Sequence, residues 1–281
     1  MISQIGIELF KLRKRKMTWI MIVVLAAFFC LVFFAVYGIT ESPPARMPDQ
    51  ALDPMRSLIT FPDAFKMIFA NAQNIGAILL VIIVASSVGN EYGWGTVRQM
   101  LTRRGIRYQY VLSKLAAFAV YALIGTVIAV VIGFCLALIT THLVNGELTW
   151  GFMTASYVGE LFVMYGWTVY ALFVYVLLAL LLSLLGRSAL AGIGGALGYY
   201  FVESIAISIF NQSGGWLSEV PDYLIGHNIS AIVPTTLMRG PFFSSGDALP
   251  STLQASVTLA VYCIVFLGLS LFLFRKRDVT T

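Results

Sequence analysis

The stretch MTWIMIVVLAAFFCLVFFAVY, residues 17–37, decides the fold class because it contains no charged residue. At about 1.5 Å rise per residue, a helix of this length crosses a hydrocarbon core of about 30 Å. Its apolar residues do not alternate with polar ones, as they would in a membrane-spanning strand. The stretch therefore predicts a transmembrane helix.

Five further apolar runs have the same character, and they cover residues 68–88, 115–140, 161–185, 189–210 and 253–274. Hydrophobic residues make up 59% of the 281 positions and charged residues 11%, whereas soluble domains hold roughly 45–50% and about 25%. The sequence predicts an all-α integral membrane protein with six spans in a single transmembrane domain, residues 1–281. The spans leave no room for a soluble catalytic domain.

Lysine and arginine residues cluster before the first span, between the second and third, and after the sixth. The positive-inside rule places these segments, and so both termini, in the cytoplasm. The net charge of +5 then reflects topology, and no nucleic-acid partner is expected. Within residues 1–16, Ile5, Leu9 and Leu12 recur at helical spacing, which predicts an interfacial elbow helix in contact with membrane lipid. The alternative is a plain orientation signal.

Two segments on the opposite side are longer than simple turns. Residues 39–67 contain five prolines, which favours an ordered but largely non-helical excursion. Residues 211–250 interleave apolar residues with Pro221, Pro234 and Pro241. A loop of that length and composition is expected to pack on something. The sequence therefore predicts short helices before the last span, which cap the outer mouth of the transmembrane domain.

Catalytic chemistry finds little support in this sequence. No Gly-x-x-x-x-Gly-Lys-Ser/Thr motif is present, and the two histidines, His142 and His227, fall in the outer loops. Without a histidine in a span, no side chain is available to activate a buried serine. We expect no catalytic residue, no metal site and no cofactor bound by this chain, which is not predicted to be an enzyme.

The fifth span is rich in glycine. Gly194 and Gly198, and likewise Ala191 and Gly195, form small-x-x-x-small pairs that let helix backbones approach closely. The run lacks the Gly-x-Gly-x-x-Gly spacing of a nucleotide site and follows no strand. Helix packing is the interpretation for Gly194, Gly195 and Gly198.

Glu203 lies in the outer half of the same span, beside Tyr199 and Tyr200. An acid at that depth is costly to ionise unless a cavity or a partner faces it. The functional hypothesis makes these three residues, with Asn74 of the second span, candidates for a translocation path. The alternative is a structural hydrogen bond between Glu203 and a neighbouring tyrosine or serine.

Residues 89–107 form the most polar insert between two spans. A short cytoplasmic helix is expected over residues 91–104, with Thr96 or Asn90 as a cap. One face would be apolar and the rest basic. The residues predicted to engage a partner are Glu91, Trp94, Thr96, Val97, Arg98, Met100, Leu101, Arg103 and Arg104. The alternative is an interfacial helix with its aromatic face in lipid.

Three motifs carry a family resemblance: ELFKLR at residues 8–13, GNEYGWGTVR at residues 89–98, and Ser113-Lys114 at the third span. With the six-span topology, they make the chain resemble the type-2 permease of ATP-binding-cassette (ABC) transporters. The resemblance implies a transmembrane subunit that dimerises and pairs with two copies of a separate ATPase subunit, which binds ATP and Mg²⁺. Residues 89–107 would be its coupling segment.

The expected function is thus a homodimeric ABC exporter permease in a bacterial cell membrane. The main alternative is an ion-coupled secondary transporter or channel, in which Glu203 would carry proton coupling. A third possibility is a non-transporting membrane scaffold or immunity protein. The substrate is not indicated by any motif.

Overall fold

The computed structural model describes residues 2–43, 52–96, 107–212, 215–233 and 249–276. Within these ranges the chain is all-helical and contains no strand. The described residues form nine α-helices and one 3-10 helix, Gly215–Tyr223. The α-helices are α1 (Ile2–Lys14), α2 (Lys16–Glu41), α3 (Leu52–Ile59), α4 (Ala64–Gly93), α5 (Arg107–Asn145), α6 (Ala155–Gly186), α7 (Ala189–Gln212), α8 (Ile225–Ile232) and α9 (Thr252–Lys276).

Six helices, α2, α4, α5, α6, α7 and α9, are long and apolar enough to cross a membrane. Each predicted span lies inside one of them, and the chain is a multi-pass membrane protein. Several helices continue past the predicted spans. The 39 residues of α5 reach roughly 58 Å, so this helix extends well beyond a hydrocarbon core of about 30 Å.

The centre of the bundle is formed by α4 and α6. Most of the apolar window of each is buried, 72% in α4 and 67% in α6, whereas at most 33% is buried in the other four spans. A run of small residues suits α4 to this position, because Ala70, Ala72, Ala77 and Ala85 are buried. The remaining spans surround these two and present apolar faces outward.

One end of the bundle, here called the basic end, is where α1, the last turn of α4 and the first turns of α5 meet. The start of α7 also packs here. A Cβ atom at Gly89 would collide with the backbone of Ser188 and Ala189. Only glycine permits this approach of α4 to α7.

At the opposite end the structure corrects one prediction. Residues 39–67 are not largely non-helical: α2 continues to Glu41, α4 begins at Ala64, and α3 lies between them. Pro54 falls in the first turn of α3, where proline costs no helical hydrogen bond. Residues 44–51 lie outside the described part of the chain.

The short helices predicted between the fifth and last spans are present as the 3-10 helix and α8. Ile225, Ile229 and Ile232 of α8 are buried at helical spacing, so its apolar face packs on the bundle. Residues 234–248 lie outside the described ranges. The placement of these helices on the outer side of the membrane stays a prediction, as does the cytoplasmic position of both termini.

Candidate functional site

The predicted coupling segment begins differently in the structure. Because α4 continues to Gly93, Glu91 belongs to its last turn and is only 3% exposed. The expected helix therefore does not begin at Glu91. Trp94 follows as the C-cap and is 70% exposed, and Gly95 adopts a φ of 68°. Six of the residues predicted to engage a partner lie outside the described ranges: Val97, Arg98, Met100, Leu101, Arg103 and Arg104.

Glu91 is part of a buried group of ion pairs that links three helices. Lys114 of α5 is fully buried, and its Nζ lies 2.8 Å from Glu8 Oε2 and 3.0 Å from Glu91 Oε1. Lys11 Nζ lies 2.7 Å from Glu8 Oε1 and 3.4 Å from Glu91 Oε1. Two carboxylates thus face two ammonium groups, and their charges balance. We call Glu8, Lys11, Glu91 and Lys114 the charge cluster.

Tyr110 joins the charge cluster to the last helix. Its hydroxyl donates a 2.6 Å hydrogen bond to Glu91 Oε2, and Lys114 Nζ lies 5.3 Å from the centre of its ring. The ring also stacks on Phe274 of α9, with centroids 5.0 Å apart and an interplanar angle of 9°. The end of α9 is thereby held against α5.

The electrostatic balance of the cluster is visible at Glu8. Burial raises the pKa of this carboxyl. The charge of Lys114 and hydrogen bonds from Lys11 and Lys114 together lower the pKa by more than burial raises it, so the pKa lies below the ordinary 4.5. Burying ions is costly unless each is paired. Both carboxylates have cationic partners here, so removal of a buried partner would leave an uncompensated charge in the cluster.

The first helix is tied to the bundle by this cluster and by its own apolar face. Leu12 is 1% exposed, and Thr18 donates a 2.7 Å hydrogen bond to its carbonyl oxygen. Ile7 and Phe10 point away from the bundle and are exposed. An amphipathic helix with one face on protein and apolar residues on the other suits an interfacial location.

Trp94 directly follows α4, and a hydrogen bond closes the turn that contains it. Thr96 Oγ1 donates a 3.1 Å hydrogen bond to the carbonyl oxygen of Glu91, which closes the turn after α4. Large exposed aromatic residues are enriched at the centres of protein interfaces. Among the described residues of the insert, Trp94 is largely exposed, whereas Glu91 is buried in contact with α1 and α5.

At the opposite end, Glu203 holds α8 against α7. Its Oε1 accepts hydrogen bonds from the backbone N–H of Gly226 at 2.8 Å and from the Tyr199 hydroxyl at 3.1 Å. Gly226 lies in the first turn of α8, where backbone N–H groups have no partner within the helix. The structural hydrogen bond that sequence reasoning kept as an alternative is therefore present.

The other candidates for the translocation path differ in whether they contact Glu203. Tyr200 contacts the ring of Tyr175 edge-on, with centroids 5.7 Å apart. Asn74 is half-buried on α4, and the hydrogen bonds described for Glu203 do not include it. The structure thus joins Tyr199 directly to Glu203 but does not bring Asn74 into that contact.

The three glycines predicted to pack helices fall into two groups. A Cβ atom at Gly195 would lie 3.1 Å from Leu182 Cδ1, so Gly195 packs within the chain. A Cβ atom at Gly194 or Gly198 would meet no atom within 4 Å. These two glycines face outward from α7, together with exposed Phe201 and Val202.

The sequence alone did not predict the roles of Glu8, Lys11, Tyr110 and Lys114, although Glu8, Lys11 and Lys114 lie within the motifs of the family resemblance. One signal was available, because Glu8 is the only acid before Glu41 and stands three residues from Lys11. Lys114 directly precedes the predicted third span, where a lysine is usually assigned to the lipid headgroups. Its burial depends on the packing of distant helices.

Comparison with known proteins places the chain in a family. Residues 49–280 match the family described as "Protein of unknown function (DUF2705)", and the chain belongs to it. The chain is also similar to "Uncharacterized protein YhcI" of Bacillus subtilis (strain 168), at 25% identity over 226 residues. That alignment covers 75% of this chain and 66% of the relative, slightly less than two thirds of its length.

Proposed function

We propose that this member of the DUF2705 family is the permease subunit of an ABC exporter in a bacterial cell membrane, served by a separate ATPase. The observation that carries the proposal is that the two ends of the connection between α4 and α5 are held to each other and to α1 by ion pairs. Glu91, at the end of α4, and Lys114, near the start of α5, form a 3.0 Å ion pair. Both also contact α1 through Glu8 or Lys11.

The connection between these residues is suited to receive an ATPase. Trp94 offers an exposed aromatic anchor beside the described end of α4. The following residues include Arg98, Arg103 and Arg104, which would meet acidic residues at the rim of the docking groove. On this proposal the basic end faces the cytoplasm, where ATP and Mg²⁺ bind to two copies of the partner subunit.

Motion of the docked ATPase would reach the membrane through the charge cluster. A push on residues 97–106 cannot displace α4 without acting on α5 and α1, because Glu91 and Lys114 are bound to each other and to α1. The stacked pair Tyr110 and Phe274 extends this connection to α9. Rigid-body tilting of packed helices is a common form of such transitions.

The proposed permease is a homodimer. Gly194 and Gly198 form an outward small-x-x-x-small pair on α7, which suits close packing against a second transmembrane helix. Alternating access would then open a route between two copies of the chain, with Glu203, Tyr199 and Tyr200 as candidates for its outer part. Asn74 stays a candidate on the sequence argument alone.

The experiment that tests this function is purification of the tagged chain, expressed with the products of its neighbouring genes, followed by assay of Mg²⁺-dependent ATP hydrolysis. We expect a soluble ATPase to co-purify and to hydrolyse ATP. Transport in proteoliposomes that is driven by an ion gradient without an ATPase would instead indicate a secondary transporter or channel. Partner binding without transport, unaffected by an ATPase-inactive variant, would indicate a scaffold or immunity protein.

A further inference from the structure

A cleft opens between α2 and α5 in the half of the bundle nearest the basic end. Its volume is about 350 Å³, and α4 and Leu172 of α6 form its floor. Trp19 and Ile124 stand at its edge and are 59% and 51% exposed. The cleft is therefore open to the side of the bundle, where the membrane lies.

Small residues create this space. Gly76, Ala122 and Gly125 line the cleft, and a Cβ atom at Gly125 would meet no atom within 4 Å. Farther along α5 the helices close up, because a Cβ atom at Gly133 would lie 2.6 Å from Ile68 and 3.0 Å from Phe29. The opening is thus confined to one half of the contact between α2 and α5.

The extent of the cleft along the helix axes matches the thickness of one leaflet of a bilayer. Its lining on α5 extends from Val120 to Ala129, which corresponds to roughly 14 Å at about 1.5 Å per residue. The hydrocarbon core of a bilayer is about 30 Å thick. The lining is almost entirely apolar, so the site suits a hydrocarbon chain inserted from the leaflet at the basic end.

A cation stands at the mouth of the cleft. Arg13 lines it and is exposed, and no acidic partner of Arg13 occurs among the ion pairs of the described residues. Trp19 Nε1 donates a 3.1 Å hydrogen bond to the carbonyl oxygen of Arg13 and fixes this part of the chain. Arginine binds phosphate oxygens through two parallel hydrogen bonds.

We propose that the cleft binds one acyl chain of an anionic phospholipid whose phosphate pairs with Arg13. An apolar channel of one-leaflet depth, with an arginine at its mouth that has no acidic partner among the described residues, complements the two parts of such a lipid. The site touches α1, α2, α4, α5 and, through Leu172, α6, but none of the charge-cluster side chains. It is therefore independent of whether an ATPase docks at the basic end.

The test is native mass spectrometry of the purified full chain, equilibrated with equal amounts of phosphatidylglycerol and phosphatidylcholine in detergent micelles. We expect one phosphatidylglycerol to be retained in preference to phosphatidylcholine. Arg13→Gln should reduce that preference about fivefold, since one basic residue contributes about 1 kcal/mol to binding at an anionic surface. Lys14→Gln is the matched control, because Lys14 is exposed but does not line the cleft.

A second pair of variants tests the apolar part. Gly125→Leu should fill the cleft and lower retention of both lipids, whereas Gly268→Leu, at an open position of α9, should leave it unchanged. Unaltered retention in Gly125→Leu would overturn the proposal, as would equal loss of preference in Arg13→Gln and Lys14→Gln. Equal retention of the two lipids by the unmodified chain would also overturn it. If Gly125→Leu does not fold, the Arg13 and Lys14 comparison decides alone.

Discussion

Lys114 Nζ lies 2.8 Å from Glu8 Oε2 although the two residues are 106 positions apart in the chain. This ion pair is buried, since the Lys114 side chain is fully enclosed and the Glu8 side chain is 8% exposed. It fastens the first helix to the start of the third span. The stability and the proposed coupling of the basic end both depend on it.

The first prediction concerns removal of that ammonium group. Lys114→Met should destabilise the protein by about 3–5 kcal/mol, because it leaves buried carboxylates with too few cations. The measurement is the free energy of unfolding by sodium dodecyl sulfate titration in mixed micelles. Lys66→Met is the matched control: its ion pair with Asp63 has side chains 49% and 42% exposed, and such pairs contribute only about 0–1 kcal/mol. Equal losses in both variants would contradict the assigned role.

The second prediction concerns pH. Because the folded-state pKa of Glu8 is lowered below 4.5, its stabilising contribution is complete above pH 4.5 and is lost as the pH falls through the lowered value. The stability difference between the unmodified chain and Glu8→Gln should thus be largest above pH 4.5 and shrink below it. Melting temperatures of both proteins across that range provide the measurement. A difference that does not vary with pH would contradict the ion-pair account.

The third prediction concerns the approach of α4 to α7. Gly89→Ala places a methyl group against the backbone of Ser188 and Ala189 and should cost about 1–3 kcal/mol through overpacking. Gly93→Ala, in the same helix but with no atom within 4 Å of the added carbon, should be neutral or slightly stabilising. Thermal unfolding of the two variants compares them directly. Similar stabilities would show that the contact at Gly89 is relaxed without cost.

The fourth prediction separates two roles of Glu203. Glu203→Ala leaves the partly buried N–H of Gly226 without its acceptor and should cost about 1–3 kcal/mol, whereas Glu203→Gln retains an acceptor oxygen and should remain near the unmodified stability. Exposed Glu160 serves as the control through Glu160→Ala. If Glu203 also belongs to the translocation path, Glu203→Gln impairs transport in a folded protein. Unchanged transport would leave only the structural role.

The six spans could be predicted because each is a local property. A run such as residues 17–37 needs no knowledge of its neighbours to be recognised as membrane-spanning. The short helix α3 was missed because five prolines in residues 39–67 argued against helix. Pro54 occupies the first turn, where proline is tolerated, and the burial of Leu52 and Ile59 supports the helix through tertiary contacts.

The candidate site was predictable only in part. The polarity of residues 89–107 led to the prediction of a partner-facing segment, and the structure shows that Trp94 within it is exposed. The prediction that Glu91 engages a partner did not account for its burial against α1 and α5. Lys114 and Lys11 reach it from 23 and 80 positions away along the chain, through packing that no local pattern records.

The fifth prediction concerns the dimer. Gly198→Leu should disrupt the outward face of α7 and weaken self-association in a bilayer by at least about tenfold, equivalent to about 1.4 kcal/mol. Gly268→Leu provides the control, because Gly268 is equally open on α9. Single-molecule photobleaching of labelled protein at low density in supported bilayers gives the dimer fraction. An unchanged fraction in Gly198→Leu would place the contact elsewhere.

The most direct measurement of the central claim is the ratio of ATPase to permease in the purified complex. Trp94→Ala and Arg98→Glu should each lower that ratio, because they remove the exposed anchor and reverse a charge of the docking segment. Tyr223→Ala changes a side chain of similar exposure, 68% against 70% for Trp94, in the short 3-10 helix before α8, and should leave the ratio unchanged. A full complement of ATPase in both Trp94→Ala and Arg98→Glu would contradict docking at this segment.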